Sequence, residues 1–191
     1  MPINEKVRER LDRVKKHGWQ VLDLRNCGLS TIPTEVFGYN HLRVIDLGND
    51  SFCEEVNKNK IKSIPSEISF LTNLSKLDLS DNSISEIHED IINLKSLQHL
   101  DLSKNKLKHL SEKVANLPGL KELNLDENPF DLLPPEIVAR GVESIRNFIK
   151  ELETKDYLYE VKLLIIGEGR VGKSCLTKAL IDEKFKVLVQ N

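Results

Sequence analysis

The chain has 191 residues and a formal net charge of −2 at pH 7, with 28 Lys and Arg against 30 Asp and Glu. This balance gives no indication of the concentrated basic face that a nucleic-acid-binding domain needs, and the longest apolar run, LLII, is far too short to span a membrane. A charged N-terminus without an apolar stretch indicates no signal peptide, and three scattered cysteines argue against a disulfide framework, so we expect a cytoplasmic protein.

The first predicted element is a helix over residues 4–17. The apolar residues that recur there at helical spacing are Val7, Leu11 and Val14. Gly18 is placed to end this helix. Because the end of a repeat array exposes apolar core, we interpret residues 1–18 as an N-terminal cap. Trp19 stands where a leucine of the first repeat is expected, and it is predicted to pack beneath the cap.

A short pattern, LxxLxLxx followed by Asn, Cys or Asp, occurs five times over residues 19–133. Its LxL pairs are Leu22/Leu24, Ile45/Leu47, Leu77/Leu79, Leu100/Leu102 and Leu123/Leu125. The polar positions that follow them are Cys27, Asp50, Asn82, Asn105 and Asn128. Successive pairs are 23 residues apart, except for 32 residues between the second and the third. The pattern resembles the leucine-rich repeat, in five copies of about 23 residues.

In such a repeat the LxL side chains point inward from a short strand, and the Asn or Cys satisfies backbone groups where the chain turns. One repeat cannot bury its apolar edge alone, so five are expected to stack into an α/β solenoid with helical caps. The longer second repeat carries an insertion, which we assign to residues 51–59, SFCEEVNKN. It is either a tolerated loop, since a longer loop costs little to close, or part of a binding face.

The outward positions of the predicted strands form columns on the concave face of the solenoid. The first column is Asp23, Asp46, Asp78, Asp101 and Asn124. The second is Arg25, Gly48, Ser80, Ser103 and Asp126. Aspartates on neighbouring strands lie about 5 Å apart, so the first column is predicted to form an acidic stripe that meets a basic segment of a protein partner. The alternative is that LDL is ordinary repeat consensus without a binding role.

A C-terminal cap is predicted over residues 134–156, where PPEIVARGVESIRNFIKELE has apolar residues at helical spacing. These residues are Val138, Val142, Ile145, Ile149 and Leu152. The spacing predicts one amphipathic helix that covers the last repeat, followed by a short linker at Lys155 and Asp156.

A phosphate-binding loop is predicted beyond the linker, where GEGRVGKS matches GxxxxGK[ST] between an apolar strand, 161–166, and a helix. The predicted nucleotide-binding residues are Gly167, Glu168, Gly169, Arg170, Val171, Gly172, Lys173, Ser174 and Cys175. Backbone amides would cradle the phosphates at the helix N-terminus. Lys173 would contact the β- and γ-phosphates, and Ser174 would bind Mg²⁺.

The order of these segments, with YEVKLLIIGEGRVGKS after PPEIVARG and a short amphipathic helix, resembles the Roco family over essentially the whole chain. The resemblance implies that residues 157–191 are the N-terminal part of a Ras-like Roc domain, that is, the first strand, P-loop and helix of a P-loop GTPase fold. It also implies GTP or GDP and Mg²⁺ as ligands, and a dimerising domain, COR, after Roc.

The residues after Ser174 lack the switch threonine, DxxG and NKxD that the family uses. We therefore expect a fragment cut within the Roc domain, without catalytic residues and without tight nucleotide binding. Its parent is expected to be a GTPase switch in signalling, with the repeats as the protein-recognition arm. Two alternatives stay open: a stand-alone repeat module with a non-functional P-loop, and a repeat protein with an ATP-specific P-loop domain downstream.

Overall fold

The computed structural model describes residues 4–52 and 54–154, which begin with a capping helix. Helix α1 spans Glu5–His17, and the side chain of Asn4 caps it by accepting a hydrogen bond from the backbone N–H of Val7 at 2.9 Å. Gly18 ends the helix in the left-handed conformation at φ 62°, which a residue without Cβ adopts at little cost. The apolar side chains of α1 that are buried against the first repeat are Val7, Leu11 and Val14.

Five short strands form one parallel sheet, with one strand from each repeat. In order across the sheet they are β1 (Val21–Asp23), β2 (Val44–Asp46), β4 (Lys76–Asp78), β6 (His99–Asp101) and β7 (Glu122–Asn124). A separate parallel pair is formed by β3 (Ser63–Ile64) and β5 (Glu86–Ile87). Both members of every LxL pair are buried, so the residues that alternate with them along each strand face solvent.

Short helical turns return the chain behind the sheet. Three have 3₁₀ geometry, at Thr34–Gly38, Ser66–Phe70 and Glu89–Asn93, and the fourth repeat has an α-helical turn instead, α2 (Glu112–Ala115). A further 3₁₀ turn, Glu55–Asn57, lies at the surface in the longer second repeat. Val36, Ile68, Ile91 and Val114 on these turns are buried against the leucines of the strands. The predicted repeat solenoid is confirmed, with its core between the sheet and the return turns.

A ladder of buried and half-buried asparagines joins consecutive repeats. Asn105 donates hydrogen bonds to the carbonyls of Leu79 and Leu102 at 2.9 and 3.0 Å, and its side-chain oxygen accepts from the backbone N–H of Ile84 at 2.9 Å. Asn82 and Asn128 make the equivalent bonds one repeat earlier and one later. Each amide therefore satisfies backbone groups of two repeats at once, as the sequence predicts.

In the second repeat the ladder position is taken by Asn59 and not by Asp50. Asn59 is 1% exposed and donates to the carbonyls of Leu24 and Leu47, each at 2.9 Å. Asp50 lies at the surface, where its carboxylate binds Asn26. The inserted residues are therefore 50–58, one position earlier than the predicted 51–59, because only a neutral amide can both donate and accept at this site.

The C-terminal cap consists of two helices rather than the single predicted helix. Helix α3 spans Pro135–Val138 and α4 spans Val142–Thr154. Gly141 lies between them at φ 86°, a conformation that an α-helix cannot contain, so the helix is interrupted there. The helical spacing of apolar residues in the sequence nevertheless continues through this interruption. Ile145 and Ile149 of α4 are buried against the last repeats.

Trp19 does not pack beneath the N-terminal cap. Its side chain is 51% exposed and stacks on the ring of His17, with the ring centroids 5.3 Å apart. Within the residues that the structure describes, no helix is long and apolar enough to cross a bilayer. The predicted linker at 155–156 and the predicted Roc segment, 157–191, lie outside the described residues.

Candidate protein-binding surface

The solvent-facing side of the five-stranded sheet, which we call the sheet face, carries the predicted acidic column. The strands pair in register, so the column residues are direct neighbours across the sheet. They are Asp23, Asp46, Asp78, Asp101 and Asn124. This register follows from the repeat itself, since each strand starts at the same position of its repeat.

Arg25 neutralises the first half of the column. Its guanidinium lies 3.1 Å from Asp23 Oδ2, 3.3 Å from Asp46 Oδ2 and 3.2 Å from Asp50 Oδ1. Arg10 of α1 adds a second cation, 3.1 Å from Asp23 Oδ1. These carboxylates are therefore satisfied within the chain and are poorly placed to bind a basic partner.

The two neutralised aspartates have opposite pKa shifts. At Asp23 burial raises the pKa, but the hydrogen bonds from Arg25 and the charges of Arg10 and Arg25 together outweigh it, so the pKa lies below its usual value. At Asp46 burial dominates, the carboxylate of Asp78 adds to it, and the pKa is raised in spite of the hydrogen bond from Gly48 and the charge of Arg25. The carboxylate of Asp46 is therefore partly buried and lies beside the like charge of Asp78, in addition to its contact with Arg25.

Asp78 and Asp101 have a different environment. Asp78 Oδ1 accepts hydrogen bonds from the backbone N–H and the hydroxyl of Ser80 at 3.0 and 2.7 Å, and Asp101 makes the same pair of bonds with Ser103. In the part of the chain that the structure describes, no lysine or arginine forms an ion pair with either carboxylate. The sheet face is therefore acidic mainly at β4 and β6.

A shallow depression of about 130 Å³ lies beside these two aspartates. Its side chains come from β4, β6 and β7 and include Lys76, His99, Glu122 and Asn124. His99 Nδ1 lies 2.8 Å from Glu122 Oε2, so this pair forms one wall. The depression is therefore bordered by carboxylates on three strands, those of Asp78, Asp101 and Glu122.

Sequence reasoning did not assign a role to Arg25. The residue appears in the second column, and its position two residues after Asp23 placed both side chains on the same face of the strand. That spacing was the available signal for a local ion pair. The same reasoning did not single out Phe52, whose side chain is fully exposed on the insertion.

The predicted nucleotide-binding residues, Gly167 to Cys175, lie outside the described residues, and so does Ser174 as a magnesium ligand. Within residues 4–52 and 54–154, no group of three or more His, Cys, Asp or Glu side chains is arranged to hold a metal ion. The described candidate site is a surface of polar and charged side chains on β4, β6 and β7.

Comparison with known proteins identifies the repeats. A leucine-rich-repeat family model matches residues 55–107 and 72–130, and a second leucine-rich-repeat model matches residues 18–40. The chain therefore carries leucine-rich repeats over these segments, and it is a protein-interaction module of that class.

The chain is also similar to individual proteins. A probable serine/threonine-protein kinase of Dictyostelium discoideum, pats1, is 43% identical over 54 residues, which are 28% of this chain and 2% of that protein. A leucine-rich-repeat protein of Leptospira interrogans is 31% identical, with a TM-score of 0.48 over 66% of this chain and 36% of that one. The leucine-rich-repeat ectodomain of the receptor kinase SOBIR1 of Arabidopsis thaliana is 25% identical, with a TM-score of 0.47 over 58% and 57% of the two chains.

Proposed function

We propose that the sheet face binds a basic segment of a protein partner at β4 and β6. The observation that carries this proposal is the contrast within the acidic column. Asp23 and Asp46 are neutralised by Arg25, whereas the donors to Asp78 and Asp101 among the described residues are hydroxyl and amide groups. Carboxylates that are held in place but not neutralised within the chain favour binding of a positively charged partner segment.

The proposed contact is a lysine or arginine side chain in the depression between these strands. Each aspartate has one oxygen fixed by its own serine, which holds the carboxylate in one orientation. A preorganised acceptor loses less side-chain entropy on binding than a mobile one.

The double substitution Asp78→Lys plus Asp101→Lys is expected to weaken binding of basic peptides at least about tenfold, or about 1.4 kcal/mol. The peptides would be selected against the chain from a random library displayed on phage, and their affinities would then be measured by fluorescence anisotropy. The matched control is Asp12→Lys plus Glu67→Lys, which makes the same charge change on exposed residues away from the sheet face. Selected peptides without basic residues, or equal affinity for both double variants, would rule out this site.

We further propose that this recognition arm belongs to a Roco-type GTP-binding regulatory protein, in which Gly167 to Ser174 bind the nucleotide phosphates. The proposal is supported by the match to GxxxxGK[ST] in a strand–turn–helix context and by the segment order. The two alternatives are an ATP-specific P-loop domain and a repeat module whose P-loop is not functional. A DxxG and an NKxD encoded beyond residue 191 would favour guanine nucleotides.

Isothermal titration of the 191-residue chain with GTP and Mg²⁺ is expected to detect no sub-micromolar site. The expected reason is that residues 175–191 contain no base-selecting NKxD, so only phosphate contacts remain. Lys173→Ala and a parallel titration with ATP serve as controls. A sub-micromolar GTP site that disappears in Lys173→Ala would show that residues 157–191 bind nucleotide by themselves, contrary to the expectation.

A further inference from the structure

The four aspartates of the sheet face are held in one orientation by their own strands. In each, the Oδ1 atom accepts a hydrogen bond from the backbone N–H two residues further along the chain. The pairs are Asp23 with Arg25, Asp46 with Gly48, Asp78 with Ser80 and Asp101 with Ser103, at 2.9, 3.1, 3.0 and 2.9 Å. Because the strands pair in register, the four Oδ2 atoms are placed alike on neighbouring strands.

Arg25 shows which cation fits between two such neighbours. Its Nη2 lies 3.1 Å from Asp23 Oδ2 on β1, and its Nε lies 3.3 Å from Asp46 Oδ2 on β2. One guanidinium therefore meets two carboxylates on adjacent strands with two different nitrogens. The hydrogen bond to Asp23 and the charges of Asp23 and Asp46 raise the pKa of Arg25 above its usual value, so the carboxylate pair stabilises this cation.

Asp78 and Asp101 repeat the carboxylate pair on β4 and β6 without an arginine. The positions equivalent to Arg25, two residues after each aspartate, are Ser80 and Ser103. Their hydroxyls donate to Oδ1 of the aspartate on the same strand at 2.7 and 2.6 Å. Neither hydroxyl bonds an Oδ2 atom, so the atoms that Arg25 contacts in the first two repeats are left to another donor here.

Both of these Oδ2 atoms can accept a further hydrogen bond. Within residues 4–52 and 54–154, Asp78 Oδ2 accepts none, and Asp101 Oδ2 accepts one, from Asn124 Nδ2 at 3.1 Å. A carboxylate oxygen has two lone pairs, so Asp101 Oδ2 keeps one acceptor position. Lys76 lines the same depression, yet among the described residues it forms no ion pair with either carboxylate. The nearby lysine of the chain itself therefore does not fill the site.

We infer that the sheet face binds an arginine side chain of its partner, with the guanidinium between Asp78 and Asp101. This inference rests on the proposed function and narrows the partner from a basic segment to one that presents an arginine. Two N–H groups of a planar fork reach two carboxylates together, whereas an ammonium group is a single point of charge. The partner would thus repeat at β4 and β6 the contact that Arg25 makes at β1 and β2.

Fluorescence anisotropy with labelled hexa-arginine and hexalysine, which carry equal charge, tests this preference on the full chain. Hexa-arginine is expected to bind at least about tenfold more tightly than hexalysine. Asp78→Asn plus Asp101→Asn is expected to remove the preference, because the amides keep the shape but lose the charge. The matched control is Asp12→Asn plus Glu67→Gln, on exposed residues away from the sheet face, which is expected to keep it.

The outcomes separate this inference from the proposed function. Equal affinity for both peptides that falls in Asp78→Asn plus Asp101→Asn would overturn the preference for arginine and leave the site for basic segments in place. Equal affinity of the two double variants for hexa-arginine would overturn both. Circular dichroism shows whether each variant keeps its fold.

Ser80→Arg tests the geometry without a partner. The new side chain starts from the position equivalent to Arg25, so a crystal structure is expected to show its guanidinium within about 3.5 Å of the Oδ2 atoms of Asp78 and Asp101. Since it fills the site, this variant is expected to bind hexa-arginine at least about tenfold more weakly than the wild type. The matched control, Ser63→Arg, makes the same change at an exposed serine of β3, in the separate strand pair.

Two results with these variants overturn the inference. One is a guanidinium in Ser80→Arg that lies in solvent, away from both carboxylates. The other is equal binding of hexa-arginine by Ser80→Arg and Ser63→Arg, which would show that an arginine on the sheet face does not compete with the peptide.

Discussion

Asn59→Ala is expected to lower the free energy of unfolding by about 3 kcal/mol, which places it among the most destabilising single substitutions in the repeats. Its side-chain oxygen accepts from the backbone N–H groups of Cys27 and Leu29 at 3.1 and 2.9 Å, and its nitrogen donates to two carbonyls. Alanine would leave these backbone groups of two repeats without partners in a site that is closed to water.

Urea denaturation, followed by circular dichroism, measures this effect. Asp50→Ala is the matched control, because Asp50 occupies the alternative ladder position in the sequence pattern, yet its side chain is 53% exposed. An exposed ion pair contributes at most about 1 kcal/mol, so the control variant is expected to lie close to the wild type. A larger loss of stability in Asp50→Ala than in Asn59→Ala would restore the first assignment of the insertion.

Arg146→Ala is expected to cost a similar amount, about 3 kcal/mol, by loosening the C-terminal cap. Arg146 Nε donates to the carbonyl of Ala115 at 2.7 Å, and its Nη2 donates to the carbonyls of Leu117 and Leu120 at 3.2 and 3.3 Å. One guanidinium therefore donates to three carbonyls between α2 and the last strand, and these hydrogen bonds connect α4 to the segment that follows α2.

Thermal and urea denaturation of Arg146→Ala are compared with those of Arg140→Ala, which removes an exposed arginine from the segment between α3 and α4. Arg146→Lys is expected to be intermediate, since an ammonium group lacks the planar fork that reaches several carbonyls together. Wild-type stability in Arg146→Ala would show that the cap is held by Ile145 and Ile149 alone.

Some features of the candidate site follow from sequence spacing, and others do not. The column of aspartates was predictable because each lies between two buried leucines of LxL, at a fixed distance from the start of its repeat. The neutralisation of Asp23 and Asp46 was not, because it depends on where the long side chain of Arg25 lies among three carboxylates. Repeat spacing determines the register of the strands, but it does not determine the side-chain rotamer of Arg25.

The prediction of one C-terminal helix was wrong for a related reason. Apolar residues at steps of three and four continue from Val138 to Leu152 and are compatible with a single helix. Gly141 breaks it, and the break lets α3 close the last repeat while α4 packs across the end of the core. The prediction that Trp19 packs beneath the N-terminal cap was also wrong. Trp19 occupies a leucine position at the edge of the first repeat, where no preceding repeat covers the side chain.

The sequence by itself determined the repeat class, the parallel sheet and the aspartate column, because these depend on a short pattern repeated along the chain. The tertiary structure decided which polar residue enters the ladder of the interrupted repeat, since that depends on reaching Leu24 and Leu47 together. It also decided which aspartates keep an unneutralised charge, and it brings residues of three separate segments, 108–110, 130–133 and 148–152, together around an apolar pocket beside α4. Such features depend on contacts between residues far apart in the chain, and no local pattern encodes them.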